Sequence, residues 1–87
     1  DVTEAIFRAK NLPLGDPAYL DVSLIEESIA AITEPHTVEG DIARLGAVSA
    51  AIDAKKPHRA AMLCAQYLAE GPLPEIAEQL RQYARET

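Results

Sequence analysis

Six prolines, at positions 13, 17, 35, 57, 72 and 74, divide this chain of 87 residues into stretches too short for any long helix. A proline ring fixes φ and removes the backbone N–H, so it suits the first turn of a helix and breaks the interior of one. The segments between the prolines carry apolar residues at helical period. Ile25, Ile29 and Ile32 lie at i, i+4 and i+7, and Leu45, Val48 and Ile52 at i, i+3 and i+7. The expected fold is therefore all-α: a compact bundle of four to five short helices, forming one domain over residues 1–87.

The boundaries follow from capping chemistry. A short first helix is expected, capped by Thr3 or Asp1, with Ile6, Phe7 and Ala9 as its apolar side. "NLPLGDP", residues 11–17, then stops it. The next helix is expected over roughly residues 22–33, capped by Asp21 or by Ser23, the latter in a capping box with Glu26. Glu26 and Glu27 are expected to face water. A further helix runs from Val38 or Asp41 to Ala54, with the stripe Ile42, Leu45, Val48 and Ile52 inward and a surface otherwise made of Ala, Ser and Gly46. Glycine in a helix costs about 1 kcal/mol relative to alanine, so close packing is the expected reason for Gly46.

The helix expected over 57–70 opens on Pro57 and stops at Gly71–Pro72. Its Ala60, Ala61, Leu63, Cys64, Tyr67 and Leu68 leave little polar surface, which predicts a central, enclosed position. The last helix starts at Pro74 and places Glu75 and Glu78 early and Arg81 and Arg85 late, in accord with the helix dipole.

Composition narrows the function. Charged residues are 25% and apolar residues 48% of the chain, ordinary for a folded domain. The longest apolar run, Ala60 to Ala65, is far short of a membrane span. One cysteine forms no internal disulfide, so a cytoplasmic location is expected. The sequence opens on Asp1 and not on an initiator Met, so either processing or excision from a longer protein is expected, the second being preferred.

The net charge of −6 disfavours a general nucleic-acid binder, which needs clustered Lys and Arg. The charge is uneven: residues 1–41 hold nine acids and two bases, a balance of −7, and residues 42–87 hold five acids and six bases, a balance of +1. This acidic half either meets a basic partner or is neutralised within the fold.

Two segments are candidate sites. Lys55, Lys56, His58 and Arg59 gather where a helix begins, a position whose free N–H groups favour anions. The apolar loop residues Leu12, Leu14, Tyr19 and Leu20 form a candidate partner-binding surface, or else a flap over a small core. Catalysis finds no support. His58 and Cys64 are six residues apart on one helix, about 120° around the axis, and cannot pair. His36, His58 and Cys64 lack the paired spacing of a zinc site, and no phosphate-loop or nucleophile-elbow motif occurs. No cofactor and no metal are expected. The leading expectation is a non-catalytic domain that binds another protein or another domain of its own chain. The alternative is an accessory domain of a nucleic-acid enzyme, touching phosphates through Lys55 to Arg59 and Arg44.

Overall fold

Proline opens three of the four helices that the computed structural model describes within residues 12–87. Pro17 starts α1 (Pro17–Ala31), Pro57 starts α3 (Pro57–Leu68) and Pro74 starts α4 (Pro74–Arg85). α2 (Val38–Asp53) begins instead on Thr37, whose hydroxyl accepts from Gly40 N at 3.0 Å and donates to Glu34 O at 2.8 Å. No strand occurs among the described residues, and the fold is all-helical. The helix expected over the first residues lies outside them.

α1 starts earlier than expected. Asp16 is its cap, extended at φ −61° and ψ 137°, with its carboxylate accepting from Ala18 N at 2.9 Å. Asp21 and Ser23, the expected caps, are already inside the helix. An Asp cap followed by proline at the first helical position was the true start signal.

α2 ends in a tight reversal. Lys56 N bonds to Ala51 O and Lys55 N to Ile52 O, both at 3.0 Å, with Lys55 left-handed at φ 58°. This is the Schellman pattern, occupied here by lysine where glycine is usual. α3 then returns alongside α2, as the short "KKP" link implied. The pairing of Arg44, early in α2, with Glu70, just past α3, fixes that antiparallel sense.

α2 packs against each of the other three helices, while α3 packs against α2 and α4. The central place expected for residues 57–70 thus belongs to α2. α3 gives Ala60, Leu63, Cys64 and Tyr67 to the core and leaves Ala61, Met62 and Ala65 exposed. The core is built from Ala30, Ala43, Ala47, Val48 and Ala51 against those four and Leu80.

The inward face of α2 differs from the expected stripe. Of Ile42, Leu45, Val48 and Ile52, only Val48 is fully buried, and Ile42 is 61% exposed. The small residues face inward because α1 approaches over them. α1 likewise turns Tyr19, Val22, Ser23, Glu26 and Ala30 inward, leaving Ile32 exposed. Ser23 settles there by donating to Ala47 O at 2.7 Å.

Candidate functional site

The space between α1 and α2 closes at one end and stays open at the other. Toward the start of α1, Tyr19 and Val22 pack on Ala50 and Ala54, with Leu12 and Leu20 laid over them. The Tyr19 hydroxyl donates to Leu12 O, and Gly15 N donates to Asp53 O at 2.7 Å, tying the loop to the end of α2. Tyr19 is therefore buried, Leu12 and Leu20 are half-buried, and Leu14 alone of the four expected partner-binding residues is exposed.

At the other end lies a groove of about 450 Å³ between the last turns of α1 and the first of α2. Its lining is Glu26 and Ile29 from α1, and Val38, Glu39, Ile42 and Ala43 from α2. Val38 and Ile42 are one turn apart on α2, and Gly46 continues their row. Ile32, the residue that caps the end of α1, follows Ile29 by three positions. Val38 and Ile42 are 78% and 61% exposed, so branched aliphatic side chains meet solvent here.

Glu26 sets the end of this groove. It is 6% exposed, against the expectation that it faces water, and its carboxylate lies over Gly46. A Cβ at position 46 would fall on Glu26 Oε2, which explains the glycine more closely than helix approach alone. Among the described residues no donor forms a hydrogen bond or ion pair with this carboxylate. Burial raises its pKa above the ordinary carboxylate value.

The basic cluster is divided. Lys55, Lys56 and His58 are exposed at the start of α3, which has no side-chain cap. Arg59 instead turns back to α1, donating to Ser23 Oγ at 3.0 Å and pairing with Glu27 at 2.7 Å. Glu27, expected in water, is half-buried by this pair. Arg44 is turned inward as well. Its side chain is 5% exposed and reaches Glu70 at 2.7 Å, the Ala30 and Thr33 carbonyls at 3.1 Å and Gly40 O at 3.0 Å. Its guanidinium also lies 5.7 Å from the centre of the Tyr67 ring. Neither arginine presents a free fork to a phosphate.

Cys64 is buried, donates to Leu80 O at 3.4 Å, and burial pushes its thiol pKa up. Such a thiol is a packing group with little thiolate character. His36 lies at φ 71°, and its Nε2 is 2.7 Å from Gly71 O, joining two interhelical turns. Among the described residues no three His, Cys, Asp or Glu side chains gather as metal ligands, and no helix is long and apolar enough to cross a membrane.

Sequence reasoning missed the groove. The signal was present in Val38, Ile42 and Gly46 at successive turns, but large aliphatic residues were read as core and small ones as surface.

These features define a small all-α bundle with an open apolar groove between its first two described helices. Comparison with protein-family models, curated proteins and solved structures finds no match to this chain.

Proposed function

We infer that this domain is a non-catalytic protein–protein interaction module, docking another protein or another domain of its own chain through the α1–α2 groove. The observation that carries the reading is the exposure of Val38 and Ile42, which line one apolar groove with Ile29. Branched aliphatic residues clustered at a rim of carboxylates are expensive to leave in water and mark interaction surfaces. Leu14, exposed at the opposite end of α1, is a secondary contact in this reading. The lone Cys64 asks for no oxidising compartment, and the proposed setting is the cytoplasm.

The alternative, phosphate contact through Lys55 to Arg59 and Arg44, has less to support it. Arg59 and Arg44 are held in internal pairs, leaving Lys55, Lys56 and His58.

The test is site-specific photo-crosslinking in cells. A photoreactive phenylalanine analogue at position 38 or 42 is expected to trap a discrete protein partner, whereas the same group at Met62, exposed on α3, is not. Equal trapping from all three positions, or none from 38 and 42, rejects the reading.

A further inference from the structure

Resting on that docking reading, we propose that the occupant of the groove is a basic amphipathic helix, placing aliphatic side chains against Ile29, Val38 and Ile42 and one Lys or Arg against Glu26.

Three observations lead there. The first is the shape of the surface. Val38 and Ile42 lie one turn apart on α2 and face Ile29 and Glu26, three residues apart on α1, so the furrow between the two helices accepts the ridge of a third. No strand edge is offered among the described residues.

The second is Glu26. Glu26 is 6% exposed as a residue, a carboxylate drawn into an apolar setting is costly unless paired, and among the described residues nothing pairs with it. It lines the groove, so a cation entering with an apolar face meets it directly. Burial already favours its protonated form, and an approaching ammonium or guanidinium would reverse that preference.

The third is the surrounding charge. Residues 12–41, which hold α1 and the start of α2, contain seven acids and no Lys or Arg. Of these acids only Glu27 is paired with a cation among the described residues, by Arg59. Glu39 lines the groove itself and Glu34 lies in the turn leading to it. A second copy of this chain would bring the same acidic rim, and an acidic or neutral helix would leave Glu26 uncompensated.

The experiment selects helical peptides of about 18 residues, five turns, from a displayed library against the intact chain, then measures chosen peptides on variants. Ile42→Asp and Val38→Asp change exposed positions, and circular dichroism melts verify their folding. The expected peptides carry Lys or Arg beside aliphatic residues at i and i+3 or i+4. They lose binding to Ile42→Asp and Val38→Asp and weaken on Glu26→Gln by about tenfold or more, the loss of one charge-assisted hydrogen bond. Replacing the critical peptide Lys by Gln removes that sensitivity to Glu26→Gln.

Peptides that need Ile42 but are neutral or acidic, or are indifferent to Glu26→Gln, overturn the basic-helix inference and leave the docking reading in place. Light scattering that shows a dimer abolished by Ile42→Asp makes a second copy the occupant and also overturns it. A selection yielding no peptide sensitive to Ile42→Asp overturns both.

Discussion

Replacing Arg44 by methionine keeps the length of the stem and removes the guanidinium, isolating a tie between three helices. Arg44 stands on α2, takes up the Ala30 and Thr33 carbonyls at the end of α1, and pairs with Glu70 at the end of α3. Its side chain is 5% exposed and that of Glu70 31%, so the pair is buried on one side only. Removing one member of a buried pair costs about 3–5 kcal/mol, and the wet side of Glu70 argues for the low end, near 3 kcal/mol. A chain of this length is stable by only about 4–13 kcal/mol, so the loss is a large fraction. It corresponds to a fall in Tm of about 12–24 °C. Glu70→Gln should cost only about 1 kcal/mol, because the carbonyl contacts of Arg44 survive it. Urea unfolding followed by far-UV circular dichroism, on both single variants and the double, gives the comparison and the coupling. A cost for Arg44→Met below about 1 kcal/mol, the value for exposed pairs, would refute the reasoning.

Three other outcomes are expected. Lys55→Gly removes a side chain from a left-handed position and should stabilise the fold by about 0.5–1 kcal/mol in chemical denaturation, a gain that Lys55→Ala does not share. Gly46→Ala, which on helix propensity alone gains about 1 kcal/mol, should show that gain only beside Glu26→Ala, since the added methyl otherwise displaces the Glu26 carboxylate; equal effects in both backgrounds would remove Glu26 from that position. Burial raises the Glu26 pKa, so the folded state holds its proton more tightly and loses stability as pH rises from the ordinary carboxylate range through the folded value. Glu26→Gln abolishes that part of the slope, and the stability of this variant relative to the parent should therefore grow as pH rises from the ordinary carboxylate range to the folded value; a flat difference would contradict it.

The helices were readable in the sequence because proline and caps act locally. Pro57, Pro74 and the Thr37 turn each declare a start within a few residues, and Gly71 declares a stop. The start of α1 was misplaced by at least five residues because Asp16–Pro17 serves equally as a turn and as a cap with first-turn proline. Which face points inward was less legible. Ser23 and Glu26 occupy core positions on α1, so its inward face does not read as apolar, and on α2 alanine is buried while Ile42 is not. That inversion depends on how closely α1 lies against α2, a tertiary fact with no local signature except Gly46. The roles of Arg44 and Arg59 were hidden for the same reason: apart from Gly40, their acceptors lie 11 to 36 residues away in the chain.

An interior lined by Ala43, Ala47, Ala51 and Ala60 has an unusual mutational weakness. Trimming these residues removes a single methyl, so little can be lost by shrinkage. Growth is another matter, because helices seated methyl against methyl have no slack to receive even a valine without being prised apart. Enlargement should thus be punished at these alanines more than at half-buried Leu45 and Ile52, the reverse of what residue size alone suggests.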